Sequence, residues 1–313
     1  MSTHRRLRRS VITSCAVIAA TSLLVAGCSS DSDGAAPSSA AAGGCVTGSP
    51  SRDAGAAPLP IAPAKVTVVD AGTGERRVPT ARPDLGSAQQ VTLVTTSQAS
   101  SAGSAEAQTV ETPLTARFVC DKQAEVELDL GTVTSPDAQL NAPLEAMSGT
   151  RGGLTLGAGL APVAVRLAPP EEAGEQARLA VEQSMVTALN TSITLPTEPI
   201  GVGARWRTER TISAAATVTQ TIDARLAAWD GDRLTIEFTA EETPVNSVFA
   251  IPGSTDTLTI SRFSSEGGGT VEVDLTRGLP VGGELTYSGA RELVGADPAR
   301  PLVQKTGLTV TWK

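Results

Sequence analysis

Short runs in which apolar and polar residues alternate recur along most of this 313-residue chain, each closed by Gly, Pro, Asp or Ser. Alternation with period two puts the apolar side chains on one face of an extended strand, so the rhythm predicts an antiparallel sheet with one buried face. The expected strands are 65–70, 90–96, 110–119, 124–130, 204–213, 217–228, 233–240, 255–263, 270–276, 283–293 and 306–313. Between two of them, Trp229-Asp230-Gly231-Asp232 carries the Asp-Gly pair of a tight hairpin, where Gly supplies a positive φ at no steric cost. One stretch has a different period. Pro169 and Pro170 lead into Glu171 to about Asn190, where Ala177, Val181, Ser184, Met185, Ala188 and Leu189 share one helical face. A single narrow apolar face predicts a helix lying on the sheet.

The rhythm fails before residue 60. Arg5, Arg6, Arg8 and Arg9 precede the apolar run 11–24, which leads into Leu24-Val25-Ala26-Gly27-Cys28. A basic head, a short apolar core and small residues before a cysteine form a bacterial lipoprotein signal. The run is well below the ~20 residues a spanning helix needs. The expected processing removes residues 1–27, diacylates the Cys28 thiol with palmitate-like chains and leaves the protein lipid-anchored on the extracytoplasmic face of the cell membrane. General secretion is the preferred route, although Arg8-Arg9-Ser10-Val11-Ile12 loosely fits a twin-arginine signal. Residues 28–59 are Ser, Gly, Ala, Pro and Asp with little to bury, and read as a flexible tether. Residues 60–313 are left as a β-rich extracytoplasmic domain.

Charge narrows the partners. The chain has 25 basic and 33 acidic residues; four basic ones, all Arg, lie within residues 1–27, so the mature protein keeps 21 against 33, a formal net charge of −12. That balance excludes nucleic acid and a polybasic grip on anionic lipid, and leaves anchoring to the acyl chains. The sole histidine, His4, is removed with the signal. Without His, the mature chain has no Ser-His-Asp or Cys-His machinery and no ordinary His/Cys zinc site. Nor does any of Lys65, Lys122, Lys305 and Lys313 have Ser three residues before it, as a Ser-Lys mechanism wants. The expectation is therefore a protein that is not an enzyme, with no cofactor, no metal and no catalytic residue. Cys15 leaves with the signal and Cys28 is acylated, so Cys45 and Cys120 are the remaining thiols; outside the cytoplasm such a pair is expected as a disulfide.

Other features have mainly structural readings. Asp230, Asp232 and Glu241 fall at positions 1, 3 and 12 of a notional calcium loop, but Leu234 and Thr235 occupy positions that need a ligand and a Gly. Gly267-Gly268-Gly269 leads into a strand rather than a helix, so it reads as a turn and not as a phosphate cradle. Arg205 and Arg207 flank Trp206 and are expected on the solvated face of a strand whose other face buries Trp206. Leu114–Leu130 laid on Ile222–Phe238 without gaps matches apolar residues at 114/222, 118/226, 126/234, 128/236 and 130/238 and Ala-Arg at 116–117 and 224–225, which is consistent with two related β units.

The segment Leu195-Pro196-Thr197-Glu198-Pro199-Ile200-Gly201-Val202-Gly203-Ala204-Arg205-Trp206 resembles the LP-x-EP-[IV]-GVGA-x-W signature of an uncharacterised family of actinobacterial lipoproteins. The resemblance extends over roughly residues 60–313 through the Asp230-Gly231-Asp232 hairpin, Leu279-Pro280-Val281 and Leu285-Thr286-Tyr287-Ser288-Gly289. It implies location and fold type and assigns no ligand or catalytic residue. The expected fold is mainly β (α+β): a curved antiparallel sheet or half-barrel with one main helix near its concave face. That outline resembles the lipid-carrier lipoproteins of bacterial envelopes. Binding of a lipid or other apolar ligand is the leading expectation; the alternative is an envelope interaction or scaffold protein without a small-molecule pocket. A cavity of several hundred Å³ would favour the first, a filled interior the second.

Overall fold

The computed structural model describes residues 44–313 apart from Ala102 and Pro252. The expected signal segment, Cys28 and the expected tether up to Gly43 lie outside the described residues. All thirteen strands form one antiparallel sheet: β1 (Pro58–Pro60), β2 (Lys65–Asp70), β3 (Gln89–Ser101), β4 (Ser104–Val119), β5 (Lys122–Leu130), β6 (Arg151–Leu156), β7 (Pro162–Ala168), β8 (Arg205–Ser213), β9 (Ala216–Asp230), β10 (Arg233–Ala250), β11 (Thr257–Asp274), β12 (Gly282–Val294) and β13 (Leu302–Trp312). The helices are α1 (Pro50–Asp53), α2 (Ala138–Glu145) and α3 (Glu175–Asn190). The spatial order is β1-β7-β6-β5-β4-β3-β13-β12-β11-β10-β9-β8-β2. Two meanders therefore meet at β3 and β13: β3–β7 runs outward to one edge, and β8–β13 returns from the other.

Two connections explain how this sheet curls. The four residues 61–64 join β1 at one edge to β2 at the other, and such a link spans at most roughly 17 Å. The sheet must bend until its edges come near each other, yet β1 and β2 do not pair, so no barrel closes. The second connection carries the chain from β7 to β8, the strands next to the two edges, and contains α3. Every position expected on the apolar face of α3 is buried, and the apolar residues among them share one core with inward positions of both meanders, including Leu93, Val126, Trp206, Ile236 and Val310. Across this contact the Thr95 and Ser184 hydroxyls lie 2.8 Å apart. The helix starts at Glu175, because Glu171–Gly174 forms a turn after the two prolines.

The structure corrects several expectations. Residues 45–59 are not tether. Val46 bridges to Val119, Cys45 is bonded to Cys120, α1 sits on the outer face of the sheet, and β1 pairs with β7. Composition misleads here because polar contacts, not apolar burial, hold the segment. The buried Glu127 carboxylate accepts from the Ser49 hydroxyl at 2.5 Å, the Ser51 amide at 2.8 Å and the Ser51 hydroxyl at 3.0 Å, with the buried Arg166 guanidinium 3.7 Å away. The triglycine is not a turn either. It lies inside β11, a single strand where two were expected, and a side chain at Gly267 or Gly269 would collide with the carbonyls of Thr286 or Glu284 on β12. Gly here permits a close approach of strands that any Cβ would forbid. β6 and β7 have no counterpart among the expected strands.

Both segments of the internal match are hairpins, β4–β5 and β9–β10, with their apolar positions turned inward. Their registers differ, however: Leu114 faces Leu130, whereas Ile222 faces Ala240. The gapless match therefore does not carry over to strand pairing.

Candidate functional site

At one end of the sheet, the segment from Ala71 to Ala88 crosses from β2 to β3 as a strap. Its Arg77 exchanges backbone hydrogen bonds with Ile200 and stacks on Trp229, 4.1 Å from the ring centroid. Farther along, the Arg82 amide donates to the Leu275 carbonyl and the Arg82 side chain pairs with Asp232. Asp84 accepts from the Ser87 hydroxyl and the Gly86 amide and lies 3.4 Å from Arg277, contacts that hold its carboxyl below the usual carboxylate range. The Gln89 side chain donates to the carbonyls of Leu279 and Pro280 and accepts from the Leu279 amide. Strap and sheet together fix the loop 275–281 as a floor beneath the core.

Above this floor lies an apolar cavity of about 60 Å³. Leu154, Leu160, Leu189, Phe238, Leu279 and Trp312 line it, so β6, α3, β10, the floor and β13 all contribute. Its partly exposed rim includes Leu160, Ser192, Arg277 and Gly278. The volume is well short of the several hundred Å³ that encloses a whole ligand. Around this cavity the interior is filled by the side chains of the one main core.

The turn at the rim is unusual. Between β6 and β7, Gly159 has φ 65° and Leu160 φ 56°, and Leu160 is the one non-glycine with positive φ among the described residues. A left-handed backbone costs a branched residue energy that glycine avoids. The turn is nonetheless well fastened: the Gly157 amide donates to the Ala161 carbonyl, and the Leu195 amide donates to the Gly159 carbonyl. Any Cβ on residue 159 would strike the Leu195 carbonyl.

The segment that resembles the lipoprotein signature is the hub of this region. Leu195 rests on Gly159, Ile200 pairs with Arg77, and the amide of Ala204 closes onto Gly201. Trp206, 1% exposed, donates from its indole N–H to the Thr194 carbonyl at 3.0 Å. Arg205 and Arg207 are on the exposed face, where Arg207 pairs with Asp223. The motif is thus architectural: it seats the chain that leaves α3.

Sequence reasoning missed Arg210, two turns of the alternation beyond Trp206. It is buried and donates to the carbonyls of Asn190 and Ser192, both at 2.7 Å, where the last carbonyls of α3 lack partners. Burial pulls its pKa down to about 10. On the neighbouring strands Gln220 donates to Glu242, which also accepts from Ser265, and Tyr287 lies close enough for Glu242 to reinforce the upward shift that burial gives its phenol. This polar row separates the main core from a smaller apolar cluster around Phe249, Ile260 and Leu293.

Of the site residues expected from sequence, Cys45 and Cys120 are bonded, with Cα atoms 5.2 Å apart, and Cys28 is outside the described residues. Among the described residues no group of three His, Cys, Asp or Glu is arranged to hold a metal, and no helix is long and apolar enough to cross a membrane. The fold defines a class: an open antiparallel half-barrel plugged by a helix. No family model matches the chain, and no curated protein matches it in sequence.

Proposed function

We propose that the mature protein is a lipoprotein, tethered through an acylated Cys28 to the extracytoplasmic face of the cell membrane, whose half-barrel binds the apolar chain of a lipid without chemical turnover. The apolar cavity, rimmed by a residue in a strained conformation, is the observation that carries this reading. Strain of this kind collects at ligand clamps. The lipoprotein signal and the resemblance at Leu195–Trp206 support the location. A ligand enters only if the walls part, because the cavity at rest is small. The same small volume favours the second reading, an envelope scaffold whose core needs no ligand.

Two substitutions on α3 separate the readings. Ala188 lines the cavity, whereas Ala177 is fully buried elsewhere on the same helix. In a binding protein, Ala188→Phe abolishes uptake of a fluorescent fatty acid with little loss of stability, while Ala177→Phe costs about 1–3 kcal/mol through overpacking. A wild-type domain that takes up no probe, with both variants equally destabilised, leaves the scaffold reading.

A further inference from the structure

We infer that the turn Gly157–Ala161 is a sprung gate for the cavity, held shut by the side chain of Leu160; the inference rests on the apolar-ligand reading and supplies its means of opening. Three observations converge on this turn. Its backbone carries two successive left-handed residues, and the second is a leucine. The Leu160 side chain is itself part of the cavity wall. One flank is fixed to the rest of the fold, since Gly159 is bonded to Leu195 and packed on its carbonyl, while Gly157 and Ala158 are exposed and the Gly157 amide is tied only within the turn, to the Ala161 carbonyl.

Apolar packing of the isobutyl group therefore opposes the backbone's tendency to leave the left-handed region. An unbranched acyl chain that displaces this group replaces its contacts with the wall, and the strained turn then relaxes outward. Ligand entry and gate opening become one exchange, in which lost side-chain contacts are recovered from the ligand. The chemistry selects a slender saturated chain. The buried Thr191 in the lining spends its hydroxyl on the Thr187 and Ala188 carbonyls, and the charged Arg277 and Glu284 are not buried, so the depth of the cavity has no polar group to offer a ligand.

A passive wall and a sprung gate make opposite predictions for two truncations. Leu160→Ala removes the packing but retains the left-handed strain, so the gate stands open. Leu160→Gly removes the packing and the strain together, so the turn rests closed around a slightly larger hole. Access is read with Leu156→Cys, a cavity-lining residue 8% exposed, by its rate of labelling with a small maleimide in the mature chain. Cys45 and Cys120 are bonded and offer no competing thiol. Leu285→Cys, also on the wall, serves as the reporter if the first variant does not fold.

The expected order is fastest labelling in the Leu160→Ala background, at least tenfold above the protein that keeps Leu160, and an intermediate rate in the Leu160→Gly background. Labelling of the glycine variant as fast as the alanine variant, or faster, overturns the gate and leaves a passive wall. Uptake of the fluorescent fatty acid is measured on the same proteins. Absence of uptake from every variant while the labelling order holds removes the ligand reading and spares the gate.

Discussion

Gly231 and Leu160 adopt nearly the same backbone angle, φ 57° and φ 56°, at two turns of the same sheet. At the β9–β10 hairpin tip the residue suits the angle: a Cβ on Gly231 would meet nothing within 4 Å, and although the tip holds Arg77 and Arg82 of the strap, no side chain at the left-handed position faces the interior. At the β6–β7 turn the angle is imposed on a leucine whose side chain lines a cavity and whose glycine neighbour is packed on Leu195. The same dihedral is relaxed on a glycine at an exposed tip and strained on a leucine where the chain borders the interior. Strain retained on Leu160, where a glycine serves the same angle at the other turn, marks the β6–β7 turn as more than a connection.

The largest effect is expected from removing the support beneath the strained turn. Trp206→Ala loses the anchor that seats Thr194 and Leu195 and should destabilise the fold by roughly 3–5 kcal/mol in urea unfolding. An unchanged midpoint would mean that the motif does not anchor the turn. Reduction of Cys45–Cys120, which closes a 75-residue separation, should cost about 4 kcal/mol on the chain-entropy account and lower the melting temperature. The bond joins the β4–β5 end to the strap, where the Cys45 amide donates to the Leu85 carbonyl, but none of these residues lines the cavity, so cavity access measured below the new melting point should not change. Gly231→Ala imposes at the hairpin the mismatch that Leu160 already bears, and should cost about 1–2 kcal/mol without altering probe uptake. An effect on uptake would break the comparison between the turns.

The smallest effect concerns acid. Asp84 is held low by its Ser87 and Gly86 hydrogen bonds; for Asp274 partial burial works upward, but Thr276 and nearby Arg277 and Arg233 bring the net shift down. A carboxylate depressed in the folded state stabilises it above the unfolded pKa of about 4 and loses that contribution as pH falls further. Hydrogen exchange should therefore show residues 82–88 of the strap and the floor loosening below pH ~4 before the core does. Simultaneous loss of both would contradict their separate fastening.

What could be read in the sequence follows from which forces are local. The Asp-Gly tip, the alternation of β8–β10 and the buried face of α3 depend on neighbours a few residues away, and all were legible. β6 and β7 were not, because Arg151-Gly152-Gly153 lacks alternation and Arg166 interrupts an apolar run with a charge. Both oddities have a distant cause: α1 covers this outer face, Ser51 and Arg166 occupy the space beside Gly153, and Glu127 receives the polar groups. Arg210 was hidden for the same reason, since its partners are the carbonyls of α3 and its exit, some twenty residues earlier in the chain. Leu160 gave a single signal, the Gly157-x-Gly159 punctuation between two apolar runs, and its strain emerges only when Leu195 packs against that turn.

Whether the half-barrel receives an apolar chain is the central question. On the proposed membrane anchoring, native mass spectrometry of the domain, released by mild proteolysis ahead of Cys45, tests this directly. The expected spectrum contains a population heavier than the polypeptide by one fatty-acyl lipid, which disappears in Ala188→Phe. A spectrum of bare polypeptide alone, from a protein that also takes up no fatty-acid probe, would contradict binding and leave a filled β scaffold.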